Sequence, residues 1–222
     1  MISIVIPVLD EEIALPATLR SLERQGVPLE TLVVDGGSRD GTRAVAAAAG
    51  AHVLSAPRGR ACQMNAGANV ARGSWLLFLH ADTRLPAGAL AAIAALPAEV
   101  ESGCFRQSFD APGRVLTLTS RLHNWRCERT RIMYGDQALF VRREAFEAIG
   151  GYPEGVLEDV RLSERLRARA RPVLLPLTVL TSARRFLAQG PLASLARIVL
   201  ILAQHRLGAR PAAGRRFFDP VR

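Results

Sequence analysis

The 222-residue sequence predicts an α/β fold: one domain with a mostly parallel central sheet and helices on both faces. Three observations carry that prediction. Short apolar runs alternate with helical patterns through the first half of the chain. The apolar share is 49%, enough for a core, and no long polar run points to disorder. No linker-like composition divides the chain, and its length suits one α/β domain.

The elements follow in order. Ile2 to Ile6 reads as a buried strand, being almost entirely β-branched. Ile13 to Gln25 reads as a helix with Leu15, Leu19 and Leu22 on one face. Thr31 to Val34 is a second strand, and Thr42 to Ala49 a helix stopped by Gly50. His52 to Leu54 is a third strand, Ala61 to Ala71 a helix ended by Gly73, and Ser74 to Leu79 a fourth strand. The second half is less regular. Gly103 to Phe109 reads as a strand, Arg114 to Arg126 as a helix, and Tyr134 to Val141 as a turn entering a strand. Leu157 to Arg169 is a helix, and Val173 to Thr181 a strand interrupted at Pro176. Leu192 to Arg206 has the period of an amphipathic helix that packs on the domain or lies at a bilayer interface, and the tail from Gly208 is loose.

In a parallel sheet, ligands bind beyond the carboxyl ends of the strands. Three such ends carry acids here: Pro7-Val-Leu-Asp-Glu-Glu12, Asp35-Gly-Gly-Ser-Arg-Asp-Gly-Thr42 and His80-Ala-Asp82. Each alone also reads as a turn or a helix cap; their joint placement points to a site. Asp35 can accept a base N–H or a ribose hydroxyl, and the glycines beside it, Gly37 among them, allow close approach. Asp82 follows the most apolar strand, where a carboxylate can hold a hard cation such as Mg²⁺ that also binds phosphates. His80 is a borderline ligand suited to Mn²⁺, or simply a histidine at a strand end.

Composition narrows the function classes. The net charge of +9 rests on arginine and suits an anionic partner. Cys62, Cys104 and Cys127 show no paired spacing, so neither a zinc site nor a disulfide framework is expected, and a reduced, cytoplasmic setting is. The start lacks the pattern of a signal peptide, and no apolar run reaches membrane-spanning length. Gly36-Gly-Ser-Arg-Asp-Gly41 lacks the glycine spacing of a dinucleotide fingerprint, and no Gly-Lys-Ser/Thr phosphate loop is present. Those absences argue against a nicotinamide enzyme and an ATPase.

At this point the order of motifs becomes informative as a set. Ser3-Ile-Val-Ile-Pro-Val-Leu-Asp-Glu-Glu12, Leu32-Val-Val-Asp-Gly-Gly-Ser-Arg-Asp-Gly-Thr42, Gly59-Arg-Ala-Cys-Gln-Met-Asn-Ala-Gly67, Leu77-Phe-Leu-His-Ala-Asp-Thr83, Gly150-Gly-Tyr-Pro-Glu154 and Leu157-Glu-Asp159 resemble the family-2 inverting glycosyltransferases of the GT-A fold. The forms His-Ala-Asp-Thr, Tyr134-Gly-Asp-Gln137 and Thr181-Ser-Ala-Arg-Arg185 resemble a small bacterial branch of that family. The resemblance covers about the first three quarters of the chain and implies that residues 1–82 bind a nucleotide and 83–185 hold the acceptor and catalytic groups; the pattern of the residues themselves gives a C-terminal amphipathic helix over 190–207, closing one domain over 1–207, and a tail over 208–222. The resemblance also implies a base pocket of Pro7, Leu9 and Glu11, a nucleoside ligand in Asp35, and a metal ligand in Asp82, with His80 standing where a first acid is usual. Asp159 is implied as general base, with Glu158 beside it, and Arg161 where a further acid is usual. Ser182, Arg185 and Phe186 resemble a Gln-x-x-Arg-Trp motif of which only the arginine is kept. Tyr134, Asp136 and Gln137 fall on the acceptor side, and a lipid-like or carotenoid-like acceptor is among those the branch implies.

The chemistry expected is transfer from a nucleotide sugar, with a UDP-sugar the expected donor. Charge on the leaving diphosphate is neutralised by a divalent cation and by Arg60 and Arg185. A carboxylate takes the acceptor's proton. Two other readings stay open: a nucleotidyltransferase acting on a sugar phosphate, against which the acidic Asp10-Glu-Glu12 weighs, and a basic binding module. Arg121 to Arg131 with Trp125 suits the last, but no nucleic-acid partner is expected, while peripheral contact with the inner face of a membrane is an option.

Overall fold

The computed structural model describes residues 1–155, 157–190 and 193–194. Eight strands form one sheet: β1 (Ile2–Val8), β2 (Leu29–Asp35), β3 (His52–Ser55), β4 (Trp75–Phe78), β5 (Thr83–Arg84), β6 (Ser102–Phe109), β7 (Phe140–Arg142) and β8 (Val173–Thr181). The helices are α1 (Leu15–Arg20), α2 (Thr42–Ala48), α3 (Arg60–Val70), α4 (Ala89–Ala94), α5 (Arg114–Thr130), α6 (Arg143–Ala148), α7 (Glu158–Arg169) and α8 (Arg184–Gln189), with a single 3₁₀ turn at Gly135–Gln137. The strand order is β3-β2-β1-β4-β7-β6-β8-β5. β3, β2, β1 and β4 run parallel, and β6 is parallel to β8, while β7 and β5 run antiparallel to their neighbours.

Alternation along β1 shows why helices cover both faces. Ile2, Ile4, Ile6 and Val8 pack with α1, α2 and α4; Val5 packs with α3 and, through neighbouring strands, with α5, α6 and α7. Every residue of β1 is buried, as expected of a central parallel strand.

The expected helix over Ile13–Gln25 is shorter, ending at Arg20. Its apolar period continues to Leu22, which is buried from the turn that follows; Gln25, also buried just beyond that turn, donates to the carbonyls of Ser21 and Pro86 and accepts from the Leu90 N–H. Pro176 does not end β8. It falls where the register with β6 jumps, Phe105 facing Leu175 and Arg106 facing Thr178, so the bulge absorbs the missing N–H. Cys104 and Cys127, remote in sequence, are free thiols whose sulfur atoms lie 3.6 Å apart between β6 and α5. The helix expected over 190–207 and the tail 208–222 lie, apart from Gly190, Ala193 and Ser194, outside the described residues. Among the described residues no helix is long and apolar enough to cross a membrane.

Candidate active site

The carboxyl ends of β1, β2 and β4 share one edge of the sheet. The loops after β1 and β2 are laced together by the acids that the sequence offers. Asp10 accepts from the Arg39 N–H (2.8 Å) and Glu12 from the Gly41 N–H (2.6 Å), while the Glu12 N–H donates to Asp40 (3.1 Å). Asp10 takes a left-handed φ of 53° to make this turn, and Gly37 one of 98° with open space above it. Asp35 lies beneath, 2% exposed. One of its oxygens accepts from the Ser38 N–H (3.0 Å) and hydroxyl (2.6 Å); the other faces the exposed Arg43 guanidinium at 3.4 Å. Burial pushes this carboxyl up, but the bonds from Ser38, Gly37 and Arg43 outweigh it and hold it below the ordinary range. Pro7 is buried within β1 and Leu9 half-buried at its end.

Gln63, which the sequence reading passes over, fixes this edge from below. Buried in α3, it donates to the carbonyls of Val8 (2.9 Å) and Val34 (2.8 Å), clamping the last residues of β1 and β2 together. Thr18 of α1 donates to the Ala81 carbonyl (2.7 Å) and so ties down the turn from His80 to Asp82. The only signal for either was a polar residue on a helix face otherwise apolar.

Two charged groups stand at the end of β4. In the first, Arg184 at the start of α8 reaches Glu11 at 2.6 Å and Asp82 at 3.5 Å. Burial raises both carboxyls above their ordinary values against the pull of Arg184. Arg184 was not anticipated; Arg185 was. In the second group, Arg60 at the start of α3 lies 2.7 Å from Glu158, which is buried. Arg185 lies close enough to Arg60 for repulsion to add to burial in lowering its own pKa. His80 is pushed down to about 3 by burial and by the charges of Arg60 and Arg185, so its imidazole is neutral.

Asp159 completes the second group. The helix N-terminus would hold it ionised, as the sequence expects of an acid in a first turn. Burial outweighs that effect, and with Glu158 beside it the Asp159 carboxyl is pushed up to about 7 despite Arg60. Leu157, before the pair, adopts a left-handed φ of 60°, rare for a bulky residue and of the kind that gathers at functional sites. His80 and Asp159 converge over Gly135: a Cβ there would stand 2.5 Å from the imidazole Nε2 and 2.6 Å from a carboxylate oxygen. The two groups are thus no more than about 5 Å apart. Among the described residues, His80 Nε2 and one Asp159 oxygen are buried without a hydrogen-bond partner, a costly state that a ligand relieves.

The segment carrying Gly135 is bracketed by left-handed residues, Arg131 (φ 56°) and Ala138 (φ 49°). Tyr134 is half-buried, with the Arg126 guanidinium 3.6 Å from its ring centroid and the His123 ring edge-on at 5.0 Å. Asp136 lies 3.5 Å from His123 Nε2. Gln137 sits a layer deeper: it is fully buried, accepts from the Tyr134 N–H (3.2 Å) and donates to the Phe105 carbonyl (3.3 Å). It therefore shapes the turn, while Tyr134 and Asp136 flank it.

The sequence pattern of Glycosyl transferase family 2 matches residues 3–152, the stretch that supplies every strand of this edge. The chain belongs to that family. A PGL/p-HBAD biosynthesis glycosyltransferase of Mycobacterium tuberculosis is 34% identical over 167 residues, 68% of this chain and 63% of that protein, and a Mycobacterium bovis counterpart matches equally. The chain thus spans under two thirds of the length of these relatives. The fold of glucosyl-3-phosphoglycerate synthase from Mycobacterium tuberculosis, solved with Mn²⁺, UDP and glucosyl-3-phosphoglycerate, gives a TM-score of 0.66 at 20% identity over 96% of this chain and 81% of that one. A mannosyltransferase from Pyrobaculum calidifontis, solved with GDP-Man and Mn²⁺, gives 0.65 at 21% identity over 82% and 56%. These likenesses establish the α/β arrangement of family 2 for this chain. Within that frame, Asn65 holds the Gly-Tyr-Pro loop of this family member to α3 through a paired bond with the Tyr152 backbone (3.0 and 2.9 Å).

Proposed function

We propose that this family-2 chain transfers a sugar from a nucleoside diphosphate sugar, with UDP-sugars as the first donors to test, to an acceptor hydroxyl or carboxylate with inversion. The observation that carries this reading is the second charged group: an Asp159 carboxyl with a pKa of about 7 beside Arg60, Arg185 and a neutral His80. A carboxylate of that basicity can take the proton of a hydroxyl. Two arginines that crowd one another are suited to an anionic leaving group.

The roles divide accordingly. Asp35 holds the nucleoside, which displaces the exposed Arg43 from the second carboxylate oxygen, and Gly37 leaves room for it. Pro7, Leu9 and Glu11 border the base. Arg60 and Arg185 meet the diphosphate, and Glu158 fixes Arg60 in place. The acceptor oxygen attacks the anomeric carbon as its proton passes to Asp159. The bond from that carbon to the diphosphate breaks, and the nucleoside diphosphate leaves with the electron pair. Attack opposite the leaving group inverts the anomeric centre, so one base suffices. Tyr134 and Asp136 border the acceptor, for which a lipid-like molecule is the favoured class.

Mn²⁺ or Mg²⁺ is the cofactor of this reading. Asp82 supplies an anionic oxygen whose ionised form burial disfavours until a cation is near, and Arg184 is its present partner. Among the described residues no three His, Cys, Asp or Glu side chains form a metal cage, so an ion would be shared between Asp82 and the donor phosphates, the sparse style of Mg²⁺. Bound there, it would offset charge on the leaving diphosphate. His80 Nε2 is turned to Gly135 and Asp159, which leaves Asp82 as the acid for the ion.

Calorimetry with UDP-sugars and GDP-sugars, with Mn²⁺ or with chelator, tests the reading together with an assay of nucleoside diphosphate release. Metal-dependent binding is expected in the wild type and nearly metal-independent, weaker binding in Asp82→Ala. Donor binding and turnover indifferent to chelator would remove the metal; release of diphosphate from a nucleoside triphosphate would replace transfer by nucleotidyl chemistry. In the same assay Asp35→Asn is expected to weaken UDP about 10–100-fold, the worth of a charged hydrogen bond. Unchanged affinity takes Asp35 out of the site.

A further inference from the structure

Helix α5 turns a distinctive face outward. At 3.6 residues per turn, Leu118, Leu122 and Trp125 form one stripe. They are 54%, 47% and 54% exposed. Arg114, Arg121 and Arg129 fall on the same side and are exposed too, and the Arg129 guanidinium lies 5.0 Å from the Trp125 ring centroid. The helix has one acid, Glu128, and it is paired with Arg106. The opposite face does the packing, through Leu116, Thr119, Ser120 and Cys127.

Large apolar side chains grouped on a surface mark an interaction site rather than a solvated face. Here the group is flanked by three arginines that form no ion pair among the described residues, which selects an anionic partner. An amphipathic helix with arginine beside leucine and tryptophan has the chemistry of a bilayer interface: rings and leucines enter at the headgroup level while guanidinium groups meet phosphates. We infer that α5 docks this domain on an anionic lipid surface through Leu118, Leu122 and Trp125, with Arg114, Arg121 and Arg129 on lipid phosphates. The same helix carries His123, which lies against Tyr134 and Asp136. His123 lies on the packing side of the helix, so docking sets the bilayer about one helix width from the turn assigned above to the acceptor; that consequence rests on the proposed function, the docking itself does not.

The chain has two tryptophans, and Trp75 is buried edge-on against Phe140, so a change in tryptophan emission on adding vesicles reports Trp125. Full-length protein is expected to co-sediment with vesicles of phosphatidylglycerol in phosphatidylcholine, with a blue-shifted emission, and to do neither with phosphatidylcholine alone. Added salt weakens the binding. Trp125→Phe erases the shift. The paired change Leu118→Ser with Leu122→Ser lowers partitioning about tenfold or more, as does Arg121→Glu with Arg129→Glu, while UDP affinity stays that of the wild type. Absence of vesicle binding overturns the inference, as does binding with unchanged Trp125 emission, which would put the contact elsewhere on the chain. A blue emission already present without vesicles, lost in the leucine variant, also overturns it: the face is then covered by the chain itself, or by a second copy if sedimentation shows a dimer. Because these readouts need no transfer, their failure is distinct from failure of the proposed reaction.

Discussion

Asp159→Asn is expected to lower the transfer rate about 10²–10⁴-fold while donor affinity stays within a few-fold, because it keeps the shape of the side chain and removes its basicity. The pH dependence sharpens the test. With its carboxyl pushed up to about 7, Asp159 is protonated and idle in mild acid, so the wild-type rate rises with pH through about 7. The Asn variant's residual rate lacks that limb. Stability supplies an independent sign. An acid whose native pKa lies above its unfolded value binds its proton more tightly when folded, so it disfavours the folded state progressively as pH rises from about 4 to about 7. Asp159→Asn is therefore expected to melt higher than the wild type at pH 8 and equally at pH 4. Glu158→Gln behaves differently. It removes the Glu158 partner of Arg60, so it is expected to weaken diphosphate binding, and it keeps the pH limb but moves it to lower pH, because the Glu158 charge helps to raise the Asp159 carboxyl. Near-normal turnover in Asp159→Asn with a collapse in Glu158→Gln would exchange the two roles.

How much of this was legible in the sequence depends on what each residue's neighbours are. The parallel strands β1, β2 and β4 were readable because burial on both faces leaves a continuous apolar run. Their carboxyl ends, and so Asp35, His80 and Asp82, followed from them. The period from Leu15 to Gln25 recorded burial correctly and helix length incorrectly, since Leu22 is buried from a turn as well as it would be from a helix. β5 has two residues, too few to carry a period, and α4 is an alanine-rich stretch whose start at Gly88 takes a left-handed φ of 76°. The balance at Asp159 was out of reach for another reason. A first-turn acid is visible in sequence, whereas the burial that overrides the helix dipole is created by His80, Gly135 and Glu158 meeting from three segments. Arg184 illustrates the same limit: its partners, Glu11 and Asp82, are remote from it in sequence.

Gly135→Ala is the second change expected to be severe, and it tests the meeting point directly. Gly135 has no left-handed φ, so alanine is conformationally acceptable there; what it lacks is space. The new methyl would stand 2.5 Å from His80 Nε2, 2.9 Å from its Cε1 and 2.6 Å from the Asp159 oxygen, closer than real side-chain carbons come, so both side chains must shift. Relief to ordinary contact needs movement of about 1 Å, a displacement that costs on the order of 10²-fold when it falls on reacting groups. The expected result is a fall of that size in kcat with UDP affinity little changed, together with the loss of about 1–3 kcal/mol typical of overpacking. A control separates lost activity from a weakened fold. Gly88→Ala meets no atom within 4 Å but forces alanine into φ 76°, so it costs about 1–2 kcal/mol and leaves turnover per folded molecule intact. His80→Ala in the Gly135→Ala background removes one side of the clash and is expected to recover part of the lost stability. If Gly135→Ala turns over normally, Asp159 does not act from the position it holds beside His80, and the assignment of the base has to move to another carboxylate.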